Sequence, residues 1–274
     1  MPHSARLAVW TTAWLVGDVA FDDVADAMER GGATHIVVGL PIAIAARRNQ
    51  LGGPLVGEVG SELHSPVVEA DTAGTDRLGA ALIAWRSTAP TVRVVFPAPG
   101  DVRGLPGPGP FTTAALEAGQ AVLGGGLGLV PAGTANPLGG ARPLVTWRAY
   151  PIGDPAPDPL QLSEATHDLA VAIRETASLF TAADLTGTRA DVGGELARAR
   201  RIGEQIDLPR GFPQRATALV AQAERLSIAL DLALSDAEGL AADRAAMGTR
   251  AQALRALAAT VRRTRQAAYN ADRS

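Results

Sequence analysis

Asp101 and Arg103 stand two residues apart in VVFPAPGDVRGLPGPGPF, residues 94–111, with Gly104 beside them. A guanidinium can clamp a carboxylate or phosphate through two parallel N–H donors, and an aspartate can accept from a hydroxyl or an amine. The pair follows an apolar, β-branched run directly, and in open α/β sheets ligands collect in the crevice beyond the carboxyl ends of strands. Asp101, Arg103 and Gly104 are therefore the candidate ligand-binding residues. The plainer reading, which loop chemistry favours, is that Asp101 caps the turn after Gly100 and Arg103 pairs with it or with solvent.

The glycines of this stretch invite comparison with a phosphate loop, and the residues argue against one. Pro106, Pro108 and Pro110 interrupt Gly104, Gly107 and Gly109, and a proline has no N–H to offer an anion. Neither G-x-G-x-x-G nor G-x-x-x-x-G-K-[ST] is present. All 25 Lys+Arg residues are arginines, so no lysine can reach a terminal phosphate. The stretch reads as a stiff, turn-rich connector.

Other chemistries are narrowed in the same way. With 0 Cys there is no disulfide framework, thiolate nucleophile or zinc ribbon, and without lysine there is no Schiff-base catalysis. His3, His35, His64 and His167 are the imidazoles, and no two have the i, i+4 spacing of a helical metal site. His35 opens a β-branched run and reads as a satisfied core histidine. His64, in GSELHSP with Ser61, Glu62 and Ser65, has the residue types of a hydrolytic relay, but no G-x-S-x-G elbow exists in the chain. No catalytic residue, metal or cofactor is expected.

Net charge −3 gives no global pull towards nucleic acid or anionic membrane. Arg255, Arg262, Arg263 and Arg265 cluster near the end of the chain, with Tyr269 the one nearby aromatic, and read as a solvated helix end that complements the helix dipole. LAVWTTAWLV, residues 7–16, places Leu7, Trp10 and Trp14 at helical intervals; Asp18 spoils a signal-peptide cut, so a packed helix is expected. IVVGLPIAIAA, residues 36–46, is the longest apolar run, too short for a span and broken by Pro41. The partner, if any, is expected to be a protein rather than nucleic acid or membrane.

The elements that must position these residues can be read from periodicity. After the tryptophan helix, FDDVADAMERGG reads as a helix with Asp22 and Asp23 at its positive end, and THIVVGL as a buried strand. Residues 47–73 have no clear period. TDRLGAALIAWRST then reads as a helix and TVRVVF as a strand, an α/β layering. Thr112 is expected to cap a helix over TTAALEAGQAVL, with Phe111 and Leu116 as its hydrophobic staple. LGLVP and RPLVTWRAY read as a strand pair.

Composition changes after PIGDPAPDPL, residues 151–160, whose prolines at 151, 155, 157 and 159 favour an extended linker. Beyond it lie helical patterns near 163–184, 189–206, 213–235 and 240–270. Leu219, Ala223, Leu226 and Leu230 form one apolar face; Leu240, Met247, Ala251, Leu254, Ala258 and Val261 form another. The last seam is short and alanine-rich, so its helix is expected to pack within its own chain. The fold class is α+β: a layered α/β half with a small mixed sheet over 1–150, the linker 151–160, and an antiparallel helical bundle over 161–274.

AVWTTAWLVGDVAFDDVADAM, VVFPAPGDVRGLPGPGPFTTAALEAGQAV, GLGLVP, TWRAYP and LPRGFPQRA together resemble a family of uncharacterised proteins from high-GC actinobacteria. The resemblance spans most of the chain. It implies a cytoplasmic setting and carries over no catalytic residues. The functional expectation is a non-enzymatic protein-interaction or scaffolding module; the alternative is a small-molecule-binding protein or enzyme using the loop around Asp101 and Arg103.

Overall fold

A six-stranded mixed sheet organises the computed structural model, which describes residues 1–30, 32–40, 75–135, 142–153, 160–182, 206–237 and 244–272. Helices α1 (His3–Leu15) and α2 (Phe21–Glu29) precede strand β1 (Thr34–Val38). Next come β2 (Thr75–Arg77), α3 (Leu78–Thr88), β3 (Arg93–Val95), α4 (Pro110–Ala118), β4 (Ala121–Gly124), β5 (Leu127–Ala135) and β6 (Leu144–Pro151). Three long helices follow: α5 (Leu162–Ala182), α6 (Gln214–Ala237) and α7 (Arg244–Tyr269). The fold is α+β. Residues 189–205 of the pattern expected over 189–206, the irregular stretch 47–73 and the prolines at 155, 157 and 159 lie outside the described residues.

The sheet order is β2-β1-β6-β5-β4-β3, and only the β1–β6 pair is parallel. Successive strand residues point to opposite faces, so each face gathers its own apolar set. Val94, Val122, Leu129, Val145 and Trp147 join a core with α1, α2, α3 and the long helices. Val95, Leu123 and Val130 join Phe111 and Ala115 of α4 on the other face. Phe111 sits so close over Gly128 that a Cβ added there would run into its ring.

Two expectations are corrected around α4. The helix starts two residues earlier than expected, with Pro110 in its first turn after Gly109, and Thr112 does not cap it. Instead the Thr112 hydroxyl donates back to the carbonyl of Gly107. The helix also ends earlier: Gly119 takes a left-handed conformation, φ 64°, which favours glycine and stops a helix. Residues 121–123, expected as helix, belong to strand β4, and both of its faces are buried.

The exposed edge of β3 is closed by side chains rather than by another strand. Thr12 of α1 donates to the carbonyl of Val92 (2.8 Å) and accepts its N–H (3.0 Å). Asn270 accepts from Val94 N–H (2.9 Å) and donates to Val94 O (2.7 Å). Gln266 accepts from Phe96 N–H at 2.8 Å. Alternate strand residues recur about every 6.6 Å, and helix positions i and i+4 about every 6 Å, so one helix face can serve successive outward groups. An unpaired strand edge is a template for aggregation, and these side chains satisfy its polar groups in place.

A second junction joins α6 to the first two helices. Trp10 Nε1 donates to Asp207 O at 3.2 Å, and Arg30, stacked over the Trp10 ring at 4.9 Å, bridges to the Asp207 carboxylate at 3.1 Å. A tight turn from Pro209 to Phe212, with Gly211 at φ 74°, then leads into α6. Leu219, Ala223 and Leu230 of α6 are buried, as are Leu254 and Val261 of α7, while Leu226, Ala251 and Ala258 are half-buried. As expected, α7 packs within its own chain, against α5, α6, β3 and α1. Leu240, the first residue of the expected seam, lies outside the described residues.

Candidate functional site

Two consecutive turns build the loop that carries the candidate residues. Ala98 and Asp101 exchange both backbone hydrogen bonds (3.0 and 2.8 Å) around Pro99 and Gly100, the latter at φ 82°. Proline followed by a positive-φ glycine is the pattern of a type II turn. Leu105 N–H then bonds Val102 O at 3.2 Å, with Gly104 at φ 80° in the third position. Leu105 is buried in the α4-side core and anchors the loop, and Val102 stands out, 52% exposed.

Asp101 and Arg103 are brought together, and a third residue joins them. Arg103 donates from Nε to Asp101 Oδ1 (2.9 Å) and from a terminal nitrogen to Oδ2 (3.1 Å), a bidentate pair. Arg262 of α7 donates to the same Oδ2 at 3.0 Å. The Asp101 side chain is 16% exposed, Arg262 23% and Arg103 52%. Burial pushes the Asp101 carboxyl up, but the hydrogen bonds from Arg103 and Arg262 outweigh it and leave it below the ordinary carboxylate value. Gly104 is a turn residue, buried and held at positive φ.

Beside this cluster lies a hollow lined by Phe96, Asp101, Arg103, Leu160, Arg263 and Gln266, with about 10 Å³ of space. That is room for a single water molecule. Arg263 donates to Thr260 Oγ1 at 3.1 Å. Arg262, Gln266 and Asn270 therefore form a stripe at i, i+4 and i+8 on α7: the first grips the loop, and the next two grip the β3 edge. This stripe is the feature of the site missed in the sequence, although three polar residues at helical spacing in an alanine-rich helix were its signal.

Two other titratable clusters are held in internal networks, one at His35 and one at Glu224. His35 places Nε2 3.2 Å from Met28 O, and its Nδ1 accepts from Trp147 Nε1–H at 3.0 Å. The ring is therefore neutral with its proton on Nε2. Burial and the neighbouring His3, 5.5 Å away between ring centroids, push its pKa down to about 4. It is a satisfied core histidine, as expected. His167 is exposed on α5; His64 and its neighbours Ser61, Glu62 and Ser65 lie outside the described residues. Among the described residues no group of histidine, aspartate and glutamate side chains could hold a metal ion.

Of the four arginines expected as a solvated helix end, Arg255 is exposed, but Arg262, Arg263 and Arg265 are half-buried. Arg265 donates from Nε to Glu224 Oε1 (3.0 Å) and from Nη1 to Ser227 Oγ (3.3 Å), and lies 4.6 Å over the Phe96 ring. Tyr269 O–H donates to the same Glu224 oxygen at 2.8 Å. Burial, the Glu224 charge and that hydrogen bond raise the Tyr269 phenol well above its ordinary value. The dipole argument placed these side chains at a helix end but could not show that α6 and the sheet edge surround that end.

The chain belongs to the Rv1486c-like protein family: residues 4–164 match its N-terminal domain and residues 163–266 its C-terminal domain. It is 29% identical to the uncharacterised protein Rv1486c of Mycobacterium tuberculosis over 98% of this chain and 96% of the relative. Uncharacterised proteins of Mycobacterium avium (30% identical) and Mycobacterium leprae (28%) are similar over the same shares of both chains. These relatives support the actinobacterial resemblance. No solved structure matches the chain. No described helix is long and apolar enough to cross a membrane.

Proposed function

We propose that the protein is a non-enzymatic protein-interaction module of the cytoplasm, with an α/β unit (1–150) and a helical unit (161–274) joined through 151–160. The observation that carries this reading is the presentation of Val102. It stays 52% exposed on a loop whose flanking residues, Asp101 and Arg103, are locked to each other and to α7. A side chain presented in a fixed position loses little freedom on binding, which is the main cost of forming an interface. Arginine is also among the residues that carry binding energy at interfaces.

The alternative, a small-molecule site at Asp101 and Arg103, draws less support. The adjoining hollow has about 10 Å³ of space, whereas pockets for small molecules run to roughly 300–1,000 Å³. Affinity purification of the tagged full chain from its source organism, with quantitative mass spectrometry, tests the proposal. A reproducible heterologous partner is the expected outcome. Recovery of nothing beyond the chain itself, together with a metabolite hit in a thermal-shift screen that is lost in Asp101→Ala and Arg103→Ala, would reverse the preference.

A further inference from the structure

Two guanidinium groups, those of Arg103 and Arg262, hold the carboxylate of Asp101, and a third arginine, Arg263, lines the same hollow. Asp101 already accepts from Arg103 and Arg262. Arg263 lines the hollow and donates only to the neutral hydroxyl of Thr260, so its charge has no carboxylate partner among the described residues. Arg262 adds a buried Nε with no hydrogen-bond partner among them. The neighbourhood is thus cationic although the whole chain carries net charge −3.

The walls narrow the occupant. Phe96 and Leu160 make two sides of the hollow apolar, and its space is that of one small group. One oxygen of a carboxylate fits such a space, at the reach of Arg263, while the chain carrying it stays outside. Between the lining residues Asp101 and Arg103 in the chain stands Val102, an exposed apolar side chain that a neighbouring aliphatic residue can cover.

Resting on the reading of the protein as an interaction module, we infer that the Val102–Arg103–Arg263 surface docks an acidic–aliphatic segment of a protein partner, with an aspartate or glutamate carboxylate paired to Arg263. The attraction is between a half-exposed guanidinium and a carboxylate at a low-dielectric rim, so it gains from the apolar walls and weakens with salt. Arg255, exposed on the same helix, serves as the control for simple charge attraction.

The test uses the full chain and three fluorescein-labelled twelve-residue peptides, (Glu-Leu)6, (Gln-Leu)6 and (Lys-Leu)6, in fluorescence polarisation at low salt. The Glu peptide is expected to bind at least tenfold more tightly than the other two. Arg263→Gln and Val102→Ser should each weaken it by about tenfold with unchanged thermal unfolding, and Arg255→Gln should leave it unchanged. Equal loss in Arg255→Gln, indifference to both Arg263→Gln and Val102→Ser, or no preference for the Glu peptide would overturn the assignment. Displacement by millimolar inorganic phosphate at matched ionic strength would also overturn it, in favour of a free-anion site. If purification returns a heterologous partner that still binds Arg263→Gln and Val102→Ser, the module reading stands and only this surface is wrong. If purification returns none, the module reading itself fails.

Discussion

Helix α7 carries two arginine–carboxylate nodes of the same chemistry in opposite surroundings. At one, Arg265 meets Glu224, whose side chain is 5% exposed, together with Tyr269, Ser227 and the face of Phe96. At the other, Arg262 and Arg103 meet Asp101 at the surface. In the first node each polar group is surrounded by protein, so its partners replace water and cannot be lost cheaply. In the second, water can take over most of what the partners do. The contrast separates two uses of one ion pair: the buried node locks α6 to α7, and the exposed node holds a loop in place.

The largest expected effect is at the buried node. Glu224→Ala leaves Arg265 charged and buried without its carboxylate, and should cost about 3–5 kcal/mol in denaturant unfolding. A paired Glu224→Leu, Arg265→Met replacement removes both charges and should cost much less, because it leaves no orphan. If the single variant were as mild as the pair, burial would not be the variable that separates the nodes.

His35 asks the same question without an ion pair. Its pKa in the fold is about 4, below the unfolded value of 6.5, so the fold favours the neutral ring. The resulting stability is fully present above pH 6.5 and is lost as the pH falls from 6.5 through 4, where the unfolded chain binds the extra proton. The loss should be on the order of 3 kcal/mol across that window, read by urea unfolding at several pH values. His35→Gln, which keeps an acceptor for Trp147, should flatten that slope.

Between the two extremes lies the sheet edge. Asn270→Ala removes both partners of Val94 at a half-buried position, and should cost about 1–3 kcal/mol. It should also raise hydrogen exchange at the Val94 amide, whereas a substitution on the solvent side of α7, such as Arg255→Ala, should do neither. Equal protection of Val94 in both variants would show that Asn270 is a bystander.

These nodes mark where the sequence was readable and where it was not. Periodicity found α1, α2, α3, β1, β3, β5 and β6, because each has a side-chain pattern of its own. It missed β4, because QAVL continues the apolar spacing of the preceding helix and only the left-handed Gly119 interrupts it. It missed β2, whose three residues, Thr75, Asp76 and Arg77, have no pattern and depend on pairing with β1. The Asp101–Arg103 pair was legible because its partners are two residues apart. Arg262, Gln266 and Asn270 were visible as residues but not as partners, since the groups they hold lie 161, 170 and 176 residues away. An amide or guanidinium at the end of a helix looks the same whether water or a strand edge receives it.

The smallest expected effect is at the surface node, and it decides whether the comparison holds. Asp101→Ala removes the carboxylate that gathers Arg103 and Arg262. Arg103 is half-exposed and can rehydrate by turning outward, while Arg262, at 23%, retains partial contact with water. The backbone turn does not need the side chain, because Ala98 and Asp101 close it through their main-chain groups. The cost should therefore be about 1 kcal/mol or less, in the range of exposed ion pairs, and should shrink further in high salt. A small pH signature should disappear with it: the depressed Asp101 pKa stabilises the fold above the ordinary aspartate value, and this is lost as the pH falls through the folded pKa. What should change more than stability is the order of the loop, seen as faster hydrogen exchange at Leu105. A loss as large as that of Glu224→Ala would instead make Asp101 a structural linchpin between loop and helix, and the two nodes would then differ in exposure without differing in role.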